Sequence, residues 1–166
     1  MLLEIERDLF VADASPERPD KKVKDRAHDR GREHNARLAP GDAEQAVACF
    51  RAALEREPNL ARAWVGLASS FSQLAGFSKE PEPWDRESVE VARRAVELDP
   101  MDADAHSILG EGLGYAGEPA EAEAALERAA ALNPSSADIL ARYAGWAPRF
   151  GKPERGAEAA DRARLL

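Results

Sequence analysis

The chain holds 166 residues, room for one domain with its own core or a short array of stacked units, and too few for two unrelated domains. Charged residues make up 33% of it, alanine abounds, and isoleucine and threonine are scarce, a mixture that favours helix over strand. The net charge of -8 argues against a nucleic-acid partner, which needs a clustered excess of Lys and Arg, and the lone Cys49 excludes an intrachain disulfide and fits a cytoplasmic setting.

Met1 to Phe10 carries Glu4, Glu6, Arg7 and Asp8 among its apolar residues, so it lacks the unbroken apolar region of a signal peptide. No run approaches the roughly 20 apolar residues of a membrane span, and no membrane insertion is expected. The patch Leu2, Leu3, Ile5, Leu9, Phe10 and Val11 reads as the end of an upstream helix or as a segment that docks on the helices downstream. Ala12 to Lys22 combines Pro, Asp and Lys without periodicity and reads as linker. The basic stretch Lys21 to Arg37 is interleaved with Asp25, Asp29 and Glu33, the signature of a solvated face.

A helix is expected from about Lys24 to Leu38. In the register of the later helices its core positions would be Arg30, Glu33, His34 and Arg37, none of them apolar. It is therefore expected to lack a normal buried face and to fray, to lie on the stems of its arginines, or to need a partner. The helix after it places Ala46, Phe50 and Ala53 on one face and closes before Pro58.

From Ala61 onward the pattern repeats. Trp64, Leu67, Ala68 and Phe71 share a helical face, and Ser88, Ala92 and Ala95 come after them on a second helix that closes at Pro100. Next come His106, Leu109, Gly110 and Leu113, then Ala122, Leu126 and Ala129, closing at Pro134. Last come Leu140, Tyr143, Ala144 and Ala147, then Gly156, Ala160 and Ala163. Pro100 and Pro134 are 34 residues apart, as are Gly117 and Gly151, whereas Pro58 and Pro100 are 42 apart. Eight extra residues therefore lie between Phe71 and Ser88, expected as an inserted loop over 76–84 that carries Phe77 and Trp84.

This alternation of large and small residues at a 34-residue period, closed by proline, resembles the tetratricopeptide repeat family over about Arg30 to Leu166. The resemblance implies an all-α fold: a right-handed superhelical stack of antiparallel helix pairs, an α-solenoid. It would span residues 23–166 in units of about 27–60, 61–102, 103–136 and 137–166, behind an N-terminal segment over 1–22. More narrowly, AVELDPMDADAH, YAGWAPRFGKPERGAEAADRA and LAPGDAEQAVACFRAAL resemble the repeat arrays attached to bacterial adenylate and guanylate cyclases. That implies a regulatory array whose catalytic domain lies outside this sequence.

Chemistry has few footholds. His28 and His34 stand six apart, not at the i, i+4 spacing of a helical metal pair, and His106 falls where a large residue packs in the core. Cys49 has no nearby His or CxxC partner, and Ser69, Ser70, Ser72 and Ser78 stand in no nucleophile elbow. No cofactor, metal or enzymatic activity is expected.

The resemblance implies that the first helix of each unit lines a concave groove. Its groove positions fall on Arg62, Val65, Ser69, Ser72 and Gln73, then on Asp104, Ser107, Glu111, Gly114 and Tyr115. In the last unit they fall on Asp138, Ala141, Gly145, Pro148 and Arg149, with Arg142 beside them. Tyr115 and Arg149 are the expected anchors, because aromatic and Arg side chains dominate interface hot spots. Members that grip a peptide's terminal carboxylate do so with Lys, Asn and Arg, whereas Asp104, Glu111 and Asp138 here would repel one. The expected function is a protein-interaction scaffold holding a peptide or neighbouring domain, as a regulatory part of a signalling protein. The alternative is a self-association module forming a homo-oligomer through open ends, since Leu166 arrives before a closing proline and no polar capping helix comes after it.

Overall fold

The computed structural model describes residues 21–166. The apolar patch Leu2–Val11 and nearly all of the expected linker lie outside them. Among the described residues there are eight α-helices: α1 (Lys21–Asn35), α2 (Pro40–Arg56), α3 (Ala61–Phe77), α4 (Glu82–Leu98), α5 (Ala103–Tyr115), α6 (Pro119–Leu132), α7 (Ala137–Trp146) and α8 (Pro153–Arg164). A 3₁₀ turn over Ala147–Phe150 extends α7. The helices pack as successive pairs, and α1, α3, α5 and α7 also touch one another in turn. Among the described residues no such contact joins the even-numbered helices, so the stack curves with the odd helices on its inner side.

Local chemistry sets each boundary. The second helices α2, α4, α6 and α8 have proline in their first turn, where its missing N–H would have had no helical partner. Asp102 and Ser136 cap α5 and α7, the Asp102 carboxylate accepting from the Asp104 and Ala105 amides at 2.9 and 3.1 Å. Gly117 and Gly151 sit at φ 82° and 74° in the left-handed region, two residues before Pro119 and Pro153. The amides of Glu118 and Lys152 then donate to the Leu113 and Ala147 carbonyls, each at 2.9 Å, closing the preceding helical turn.

Leu38, at φ 51°, takes the left-handed position two residues before Pro40. This corrects the expected register of α1. The second helix begins at Pro40 and runs for 17 residues against 14 for α6, one turn further from its closing proline. The first helix therefore docks three residues earlier than the 34-residue period dictates. Its inward face is Ala27, His28, Gly31 and His34, whose Nδ1 lies 2.8 Å from Asp42 of α2, whereas Arg30, Glu33 and Arg37, also expected there, are exposed. The helix is formed and has a buried face.

The eight extra residues of the second unit form no loop over 76–84. Relative to α5 and α6, of 13 and 14 residues, α3 and α4 run to 17 each, and a short turn over 78–81 joins them. Four extra residues thus lengthen α3, three lengthen α4 and one lengthens the turn. Trp84 lies in the first turn of α4 and stacks on Phe71 with ring centroids 6.0 Å apart, covering the end of its own hairpin.

Large residues of one helix fill space left by small residues of the next. Phe50, fully buried on α2, lies between Gly31 of α1 and Gly66 of α3, where an added Cβ would fall 2.8 and 2.3 Å from its ring. Gly110 faces Leu126 in the same way, and Gly114 faces Trp146. Buried Ser88 donates to the Ala68 carbonyl at 3.0 Å, joining α4 to α3. The carbonyls of the closing prolines are satisfied by long side chains. Trp64 Nε1 donates to Pro58 at 2.8 Å, His106 Nε2 lies 3.0 Å from the Pro100 oxygen, and Arg162 donates to Pro134 at 2.8 Å. His106 is thus a half-buried closing group, not the core residue expected, and that bond requires its proton on Nε2.

Candidate functional site: the concave groove

The inner faces of α1, α3, α5 and α7 enclose a groove of about 520 Å³. Helical spacing places its lining at intervals of three and four: His28, Arg32 and Asn35 on α1, Arg62, Val65 and Ser69 on α3, Asp104 and Ile108 on α5, and Asp138 and Arg142 on α7. Asp102, the cap of α5, adds a third carboxylate at that end.

The α1–α3 end is braced. The Asn35 side-chain amide donates to the Gly66 carbonyl at 3.1 Å, its oxygen lies 2.9 Å from the Ser70 hydroxyl, and its backbone carbonyl accepts from Gln73 at 3.2 Å. Buried His28 stands edge-on to Phe50, with ring centroids 5.7 Å apart, and its Nδ1 is 3.5 Å from Asp29. Burial, aided by the nearby Arg62 charge, lowers its pKa below the ordinary value, with Asp29 acting in the opposite sense.

The α5–α7 end is organised around Arg142. Its Nη1 donates to the buried Ser107 hydroxyl at 2.6 Å, and its Nε lies 3.0 Å from Glu111, tying α7 to α5. Asp104 is raised above the usual carboxylate range, because the groove walls strip part of its solvent and Asp102 and Asp138 add negative potential that Arg142 only partly offsets.

Of the expected groove residues, the structure brings Arg62, Val65, Ser69, Asp104, Asp138 and Arg142 together in the groove lining. Ser107 and Glu111 lie beneath it as partners of Arg142, and Gln73 is engaged with α1. Tyr115 and Arg149 are not part of the lining. Tyr115 packs edge-on against Trp146 at 5.1 Å, and the Arg149 guanidinium lies 4.7 Å over the same ring while donating to the Gly145 carbonyl. His28, Arg32 and Asn35 are not among the expected residues, because the expectation gives the first unit no groove positions. The signal that finds them is the shared spacing of Leu38–Pro40, Gly117–Pro119 and Gly151–Pro153.

Among the described residues there is no group of three or more His, Cys, Asp or Glu able to hold a metal ion, and no helix long and apolar enough to cross a membrane. Cys49 is half-buried, and burial pushes its thiol up, away from the thiolate a nucleophile needs.

These features define a superhelical scaffold of stacked helix pairs. The tetratricopeptide repeat family profile matches residues 34–74, the end of α1 through α2 and most of α3. The mouse interferon-induced protein with tetratricopeptide repeats 3 is 31% identical over 122 residues, 74% of this chain but 29% of that protein, so the chain spans less than a third of this curated relative. The thermophilic tetratricopeptide repeat protein TTC0263 of Thermus thermophilus superposes with a TM-score of 0.74 at 18% identity, over 87% of this chain and 74% of that one. The MamA fragment 41-end from Desulfovibrio magneticus RS-1 superposes at 0.64 and 20% identity, over 90% and 78%. Together with the 34-residue period and the stacked helix pairs, these likenesses give the chain the tetratricopeptide repeat fold, and residues 34–74 match the family itself. The fold is one that generally mediates contact between proteins, and its concave face is the extended surface it offers.

Proposed function

We propose that this chain holds an extended peptide, or a strand-like segment of a neighbouring domain, in the groove formed by α1, α3, α5 and α7, as a regulatory part of a cytoplasmic signalling protein. One observation carries the reading: side chains from four successive inner helices converge on a single polar groove. Among the described residues the even helices make no such contacts with one another, so the convergence belongs to the inner side of the stack.

The test is to pan a random-peptide library on the whole chain and to measure the enriched peptides by titration against groove and outer-face variants. Ser69→Trp fills the groove and should weaken binding at least about tenfold, while Arg94→Glu on the outer helix α4 should leave it unchanged. Equal binding by both variants, or peptides whose crosslinks map to α4 and α6, would overturn the proposal.

A second reading, self-association, is supported by the uncovered face between α7 and α8, a surface of six alanines, among them Ala141, Ala144 and Ala160, edged by Asp138, Asp161 and Arg164. Such small residues admit close approach by a helix of a second copy. Light scattering across a concentration series decides it, since a constant monomer mass would remove this reading and leave the groove reading untouched.

A further inference from the structure

The groove differs in charge at its two ends. Arg32 and Arg62 stand with the carboxylate of Asp29 at the α1–α3 end, while Asp102, Asp104 and Asp138 stand at the α5–α7 end. The only cation that lines the acidic end, among the described residues, is Arg142, already held by Glu111 at 3.0 Å and by the Ser107 hydroxyl. Neither Asp104 nor Asp138 makes an ion pair among the described residues, although both face the groove. Asp102 is engaged as the cap of α5. The acidic end therefore retains a surplus of negative potential that the fold itself does not neutralise.

We infer that the bound segment places one Lys or Arg side chain between Asp104 and Asp138, with its flanks neutral or acidic where they run toward Arg32 and Arg62. The inference rests on the groove-binding reading and adds the chemistry of the partner. Three carboxylates gathered at one end of a concave wall attract an incoming cation more strongly than a lone surface carboxylate does, because their potentials add. Asp104 titrates above the ordinary carboxylate range, raised by partial burial and then by Asp102 and Asp138, so an arriving ammonium or guanidinium relieves electrostatic repulsion already present in the unliganded groove. A segment positive along its whole length does not match, because Arg32 and Arg62 repel its far end.

The experiment measures peptide affinity by isothermal titration with the whole chain, starting from the groove-sensitive peptides of the panning. Those peptides should carry a single basic residue, and replacing it with norleucine should weaken binding about five- to tenfold. Asp104→Asn and Asp138→Asn should each weaken the basic peptide about threefold or more and leave the norleucine peptide unchanged. Raising the salt should weaken the basic peptide selectively, and an all-lysine peptide should bind no tighter than the single-lysine one. The peptide-side substitution keeps the test decisive even where an Asn variant folds poorly.

Binding that responds to Ser69→Trp but shows no preference for a basic residue, or no sensitivity to either Asp→Asn change, overturns this inference and leaves the groove reading standing. Absence of any groove-sensitive binding overturns both.

Discussion

Phe50 and Gly66 form the sharpest test of how the stack is built. Phe50 is fully buried, and a Cβ at Gly66 would lie 2.3 Å from two of its ring carbons, with Gly31 backing onto the same ring from α1. The ring has no room to retreat. In the native chain Gly66→Ala should therefore suffer an overpacking penalty of about 3 kcal/mol. The better helix propensity of alanine returns about 1 kcal/mol, so the net loss is about 2 kcal/mol. Phe50→Ala alone should cost about 3–5 kcal/mol, since it empties the contact between three helices. In the Phe50→Ala background the methyl at Gly66 meets open space, and the same Gly66→Ala change should stabilise by about 1 kcal/mol. The double-mutant cycle thus predicts a reversal of sign and a coupling of about 3 kcal/mol. Urea unfolding followed by circular dichroism, with tryptophan fluorescence as a second signal, measures all four corners. A Gly66→Ala effect of the same sign and size in both backgrounds would refute the packing argument.

Local features of α1 and its turn supply two further predictions. His28 is held neutral by burial, its folded value below the ordinary 6.5, so the unfolded chain takes up a proton that the folded chain refuses. The contribution is complete above pH 6.5 and is lost as the pH falls from there through the folded value, and His28→Gln should flatten the thermal midpoint over that interval; an unchanged slope would assign the dependence elsewhere. Leu38 is 67% exposed and sits at φ 51°, a conformation that costs a side-chain-bearing residue free energy, so Leu38→Gly should stabilise the α1–α2 turn by about 1 kcal/mol in urea titrations. A loss of stability there would mean that the leucine side chain contributes packing.

Much of this molecule is legible in one dimension. The pairing of large with small residues, such as Phe50 with Ala46 and Ala53 or Leu126 with Ala122 and Ala129, repeats at helical spacing, and proline closes each of the first three helix pairs; both signals are local. They identify the helices and their pairing, and six of the expected groove residues come from the same period. The period misleads where the chain departs from it. It turned α1 the wrong way, because a turn at Leu38–Pro40 begins α2 one turn early, and it assigned eight extra residues to a loop that the helices absorb.

The sequence by itself determined which faces are apolar and where most helices start and stop, because propensity, caps and proline act within a few residues. Only the tertiary structure decided the docking of α1, the capture of Arg142 by Ser107 and Glu111, and the withdrawal of Tyr115 and Arg149 onto Trp146. Arg142 and Ser107 stand 35 residues apart, and whether two such groups meet depends on how neighbouring pairs stack. That stacking set the charge of the groove, since it neutralised Glu111 and left Asp104 and Asp138 facing the open space.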